Sequence, residues 1–305
     1  MIIKTMLFVQ KASQLNKLRG FLFFPLLAIF LSCATISPVD SARERPASFA
    51  AVEAVKPAWR SFTAGIGYFH GKIAKPQLEF WALQIDLASP DTRIVVKGGA
   101  ADGSRTLSTR VSSFVRDNSL IAGINAVPFD VVSAKEGQPI KNMGIVISGG
   151  ELIAPVNPRY DALIFYADGS AAIVSQSAID SMENIENAAS GFQHILKDGE
   201  PAERTLYLQP RHPRSAAGIS ANGRYLYLLV IDGRRLGSVG STEKETALLL
   251  RSLGSWEGIN FDGGGSSALV LRYPDGKVRP VNTPIHGGIH GLERAVAGCI
   301  GIIRN

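Results

Sequence analysis

Short apolar runs, each closed by glycine or by an Asn-Gly or Asp-Gly pair, recur from Gly65 to the C-terminus, and this rhythm constrains the fold more than any other feature. Residues 65–69, 78–87 (LEFWALQIDL), 93–97, 119–125, 144–147, 162–166, 171–174, 217–219, 225–231, 268–271 and 295–303 are rich in β-branched, aromatic and aliphatic side chains. Runs of that length and composition, separated by turn formers, predict strands. Two segments depart from the pattern. Residues 107–116 place Leu107, Val111, Phe114 and Val115 at helical spacing. Over 243–253, Thr242 followed by Glu245 has the form of a capping box, and Gly254 suits the C-terminal end of a helix. With no internal repeat, the chain reads as α+β: a mostly antiparallel or mixed β-sheet core with a few packed helices.

The N-terminus is different in kind. Residues 1–32 contain Lys4, Lys11, Lys17 and Arg19, no acidic residue, and then an apolar stretch over 21–31 interrupted by Pro25. A basic segment followed by a short apolar one is the layout of a secretory signal, and it is shorter than the ~20 residues a spanning helix needs. Leu31-Ser32-Cys33-Ala34 resembles a lipobox, which makes Cys33 a candidate for lipidation and membrane attachment by an acyl anchor. Residues 33–60, mixing Ser, Ala, Pro and single charges, are expected to be a flexible tether, leaving 61–305 as the folded domain. The four basic residues of 1–32 account for most of the formal +6 and leave about +2 on the remainder. That balance argues against a nucleic-acid partner. With Cys33 assigned to lipid, Cys299 has no disulfide partner and is expected to be a buried small hydrophobe.

Chemistry concentrates in residues 258–268, GINFDGGGSSA. An apolar strand there delivers Asp262 into Gly263, Gly264 and Gly265, a costly sequence unless the backbone takes unusual torsions or another group must approach closely. Successive N–H groups of such a turn can converge on an anion, so these glycines, with Ser266 and Ser267, are candidates for a phosphate-binding nest. The same residues are also compatible with a glycine-rich turn that binds nothing.

The segment resembles the NLDGGGSS motif of the phosphodiester glycosidase family, in its exopolysaccharide-associated bacterial branch. Five further blocks resemble that family's pattern in order: Ile124-Asn125-Ala126-Val127-Pro128-Phe129-Asp130, Arg211 to Ile219 (RHPRSAAGI), Val230-Ile231-Asp232-Gly233-Arg234, Gly240 to Ala247 (GSTEKETA) and Glu293-Arg294-Ala295-Val296-Ala297. The resemblance implies a glycosidase acting on a sugar phosphodiester. Such chemistry passes through an oxocarbenium-like state served by carboxylates. It makes Asp262 the first catalytic candidate, with Asp232 and Glu293 competing for a second role. Arg214, whose planar fork matches phosphate oxygens, is the implied phosphate ligand, and Asn125 the implied sugar ligand. Glu245 is accounted for by its capping position alone. His286 and His290 flank Gly287-Gly288 without further ligands at metal-binding spacing, which favours a solvated loop. Metal dependence and cofactor are left open. Val127-Pro128, His212 and Ser215 depart from the family pattern without removing a candidate catalytic group, which implies altered specificity.

The expectation is therefore an exported hydrolase of a sugar phosphodiester or related cell-envelope glycan, either lipid-anchored at Cys33 or periplasmic. The competing expectation is a non-catalytic glycan-binding or exopolysaccharide-assembly lipoprotein.

Overall fold

The computed structural model describes residues 47–206 and 210–304. The expected signal at 1–32 and the lipidation candidate Cys33 lie outside the described residues. The architecture is α+β and dominated by antiparallel sheets. An eight-stranded sheet is ordered Arg60–Thr63, Ile66–Ile73, Leu78–Asp86, Tyr225–Ile231, Arg214–Ile219, Glu257–Asn260, Gln193–Lys197, Glu200–Pro201. A five-stranded sheet runs Val278–Pro280, Leu269–Arg272, Ala122–Asn125, Cys299–Arg304, Thr92–Val96, and a second one joins the five strands between Val146 and Gly191. Every strand pair within these three sheets is antiparallel.

The strand Tyr225–Ile231 (YLYLLVI) shows why the large sheet is central. Its apolar run does not alternate with polar residues because both faces are covered. Leu226, Leu228 and Val230 face the core shared with the two five-stranded sheets, whereas Tyr227, Leu229 and Ile231 face helices. Those helices are α1 (Ala47–Glu53) and α3 (Glu243–Leu253), while α2 (Val111–Asp117) covers the sheet containing Leu269–Arg272. Truncating a fully buried residue such as Leu228 to alanine is expected to cost about 2–5 kcal/mol.

Helix α3 matches its expected bounds. Thr242 accepts from the Glu245 N–H at 3.2 Å, Glu245 accepts from the Thr242 N–H at 3.0 Å, and Gly254 closes the C-terminus. The tether expected over 33–60 is corrected in its described part: Ala47–Glu53 form α1, because Phe49 and Val52, followed by Val55, pack into the cluster that includes α3, while 33–46 lie outside the described residues. Arg251 pairs with Glu53 at 2.6 Å and the Ser252 hydroxyl donates to the Val52 carbonyl at 3.1 Å. The expected helix at 107–116 begins only at Val111, since Leu107 belongs to the strand Arg105–Leu107. The last strand begins at Cys299 and not at Ala295; Ala295 and Val296 instead make single bridges to Ser133 and Thr109. Cys299 is buried, and burial pushes its thiol up to about 12, which makes it an inert core group. Among the described residues no helix is long and apolar enough to cross a membrane.

Candidate active site

The strands Tyr225–Ile231 and Glu257–Asn260 flank Arg214–Ile219, and both are antiparallel to it. They therefore run in the same direction and end at the same edge of the sheet, where the middle strand begins. Arg214 stands at that beginning, Asp232 follows one flanking strand and Asp262 follows the other after a single residue. An open cleft of ≈ 350 Å³ lies at this edge, with Asp262, Arg214, Arg234, Arg294, His212 and Phe192 in its wall. Asp262 and Arg214, chosen from distant parts of the sequence, thus face one cleft.

The backbone fixes Asp262 tightly and leaves one of its carboxylate oxygens uncommitted. Its N–H donates to the Ala126 carbonyl at 2.9 Å and its carbonyl accepts from Asn125 Nδ2 at 2.6 Å. Oδ2 is buried with no hydrogen-bond partner. Burial pushes the carboxyl up to about 6, against the pull of the Ser266 hydroxyl, the Arg294 charge and the Gly263 amide. A carboxylate poised there is ionised at neutral pH yet keeps enough basicity to take a proton or bond to an electron-poor carbon.

Cations gather around it. Arg214 is buried and largely committed: Nε donates to the Ser241 carbonyl at 3.1 Å, Nη2 to the Pro210 carbonyl at 3.3 Å, and Nη1 lies 3.6 Å from Glu243 Oε1. Two further arginines, absent from the expected set, are less committed. Arg234 adopts the left-handed conformation (φ 59°), rare for a side chain of this kind, and its Nη2 donates to His212 Nδ1 at 3.2 Å. Arg294 donates from Nε to His286 Nδ1 at 3.1 Å and from Nη1 to Ser266 Oγ at 3.2 Å. Burial and the neighbouring guanidinium groups hold both His212 and His286 below the usual imidazole range. Each imidazole is therefore a neutral acceptor that aims an arginine. The sequence signal for these arginines was positional, since each directly follows a motif acid or its glycine: Asp232-Gly233-Arg234 and Glu293-Arg294.

The glycine turn is not the anion nest expected from sequence. The Gly264 N–H is spent on the Pro213 carbonyl, Ser266 N–H on Gly263 and Ser267 N–H on Gly264, so the main chain has few donors left for a ligand. The glycines answer two other demands. Gly264 takes a positive φ of 61°, and Gly265 lies beneath the Arg294 guanidinium, where an added Cβ would collide with it. Ser266 orients Arg294, and Ser267 Oγ is buried without a partner.

Other candidates are drawn into the scaffold. Asn125 is wholly buried and does not line the cleft, so it is not placed to hold a sugar hydroxyl; its Nδ2 donates to the Asp262 carbonyl, and its Oδ1 accepts from the Ser215 hydroxyl at 2.6 Å and the Ala268 N–H at 3.1 Å. It joins the edge of the large sheet to the neighbouring five-stranded one. Asp232 is 1% exposed and bonds Arg235, Asn282 and Thr283. Glu293 accepts from the Ser112 N–H at 3.1 Å in the first turn of α2, and burial pushes its carboxyl up. Neither acid lines the cleft. Glu245 is structural, holding Arg211 besides its capping bonds. His286 serves Arg294 and His290 lies in the exposed strand Ile289–His290. Among the described residues no cluster of three or more His, Cys, Asp or Glu is placed to hold a metal ion.

The cleft is thus a glycine-cornered one at the edge of the large sheet of an α+β domain. Residues 118–303 match the phosphodiester glycosidase family, and the chain belongs to it. Its fold is similar to that of the zebrafish N-acetylglucosamine-1-phosphodiester alpha-N-acetylglucosaminidase catalytic domain auto-inhibited by its pro-peptide. That similarity has a TM-score of 0.60 at 19% identity and covers 82% of this chain and 87% of the zebrafish one. A hypothetical protein from Synechocystis is similar with a TM-score of 0.55 at 16% identity, over 83% of this chain and 64% of that one. The SPbeta prophage-derived uncharacterized protein YomE of Bacillus subtilis (strain 168) is 29% identical over 172 residues, which is 52% of this chain. The aligned part spans only 25% of the length of that relative.

Proposed function

We propose that this protein is an exported glycosidase that hydrolyses the bond between a sugar and a phosphodiester, in a soluble sugar phosphodiester or a related cell-envelope glycan. The observation that carries the reading is the carboxylate of Asp262, held by the backbone, with Oδ2 unpartnered, facing guanidinium groups aimed by neutral histidines. In the net reaction a water oxygen bonds to the anomeric carbon and the bond from that carbon to the phosphate oxygen breaks. The electron pair leaves with the phosphate, and the surplus water proton passes to solvent. Asp262 supplies the negative charge that the oxocarbenium-like state requires. Arg294 and Arg234 receive the phosphate, whose charge grows as the bond breaks, and interactions that strengthen in that state accelerate the step. A phosphate leaves with little need of a proton, so one carboxylate with cationic support suffices.

The basic and apolar layout of residues 1–32 and the sequence around Cys33 support export and lipid anchoring. Purified protein incubated with a panel of sugar-1-phosphodiesters and cell-wall fragments is expected to release free sugar, and Asp262→Asn is expected to abolish release with the fold intact. Normal turnover by that variant would remove Asp262 from the mechanism. Glycan binding by the native protein without any product would favour a non-catalytic glycan-binding lipoprotein instead.

A further inference from the structure

Along the chain, Asp262 separates two chemically distinct stretches of the cleft wall. On the C-terminal side of Asp262 the chain enters Gly264 and Gly265, which lie against Arg234 and Arg294. On its N-terminal side stands Asn260, two residues back and also in the cleft wall, while Phe261 between them turns into the core. Beside Asn260 lies Phe192, whose N–H donates to the Asn260 carbonyl at 2.8 Å. The Phe192 ring is braced by Tyr160, with ring centroids 6.1 Å apart and an interplanar angle of 44°. Asn260 is buried, and its Oδ1 has no hydrogen-bond partner. A buried polar atom left unpaired in a folded protein is costly, and at the wall of a cleft it points to a donor supplied by a ligand.

We infer that Phe192 and Asn260 form the sugar subsite of this cleft, an inference that rests on the glycosidase reading of the same site. A pyranose ring presents an apolar C–H face, which suits an aromatic platform, and hydroxyl donors, which suit an unpaired amide oxygen. The phosphate then lies on the arginine side and the anomeric carbon falls between the two, at Asp262. An uncharged ring is the matching ligand, since neither Phe192 nor Asn260 carries a charge.

The test separates sugar recognition from phosphate recognition. Turnover of a panel of sugar-1-phosphate methyl esters is measured for the native protein and for Asn260→Ala, Phe192→Ala and Phe192→Tyr, with inorganic phosphate binding measured by calorimetry on each. Asn260→Ala and Phe192→Ala are expected to raise KM about tenfold each, the effect of removing one net hydrogen bond or one stacking ring. Phosphate affinity is expected to stay within about twofold, which also reports that the site is folded, and Phe192→Tyr is expected to restore KM. An unchanged KM in both alanine variants, or phosphate affinity falling in step with KM, overturns the subsite. Should the native protein bind phosphate but turn over none of the esters, the glycosidase reading fails by itself. Saturation-transfer NMR with methyl glycosides then decides the subsite. A sugar signal that is present with the native protein and vanishes with both alanine variants supports it; a signal unaltered in them, or absent with the native protein, overturns it.

Discussion

Two corners of the same sheet edge carry the same local sequence logic and opposite fates. Ile231-Asp232-Gly233 and Phe261-Asp262-Gly263 each bring an apolar strand to an acid and then a glycine, one on either side of the strand that starts at Arg214. At the first corner every carboxylate oxygen is used. Oδ1 accepts from Asn282 Nδ2 and the Thr283 N–H, both at 3.1 Å, and Oδ2 accepts from Arg235 Nε at 2.7 Å. Arg235 reaches on to Glu79, whose carboxyl is held at about 2 by Arg235, Lys72 and His70 despite burial. At the second corner Oδ2 has no partner and burial raises the carboxyl to about 6. Local sequence places both acids; donors from remote segments decide which becomes scaffold and which remains available for chemistry.

The sharpest way to break this contrast is Asp262→Asn. Turnover is expected to fall by at least about 10³-fold in a sugar-release assay. Stability is expected to move the other way. The carboxyl has an ordinary value of 3.8 when unfolded and about 6 when folded, so the stability it contributes is present below 3.8 and lost as pH rises through 6. The asparagine escapes that loss, and at pH 8 the variant should be more stable by up to roughly 3 kcal/mol in denaturant titration. In the native protein kcat/KM should rise with pH through about 6 as Asp262 ionises. A variant that is inactive and less stable at pH 8 would show that Asp262 is scaffold like Asp232.

Asp232→Ala tests the other corner: removing one partner of a buried charged network is expected to cost about 3–5 kcal/mol in unfolding, with turnover per folded molecule retained. Arg294→Gln is expected to lower kcat by about 100-fold through weaker stabilisation of the departing phosphate, and to push the Asp262 carboxyl further up by removing the charge that pulls it down. The smallest effect belongs to Gly264→Ala. A side chain at that positive φ is expected to cost about 1–2 kcal/mol, read as a lowered melting temperature.

The strands and α3 were legible because their signals are local. Short apolar runs closed by turn residues, and the pair Thr242 and Glu245, need no information from elsewhere in the chain. The structured start at Ala47 was missed because Phe49, Val52 and Val55 are thinly spread among alanines and polar residues, and their partner surface on α3 lies about 200 residues away. The site was legible in outline: an acid entering glycines and an arginine on a neighbouring strand do meet at one cleft. Its division of labour was not. That Asn125 is spent inside, that the turn's N–H groups are consumed, and that Arg234 and Arg294 hold the charge are facts about long-range partners.

On the proposed reading, anion recognition resides in side chains drawn from separate segments, and the main chain of the turn takes little part. A site built from backbone amides can be altered only by refolding the turn. One built from Arg214, Arg234 and Arg294 can gain, lose or shift a charge by single substitutions while the corner that carries Asp262 stays intact. On that reading, substitutions at those arginines would change which leaving group is accepted without rebuilding the corner at Asp262.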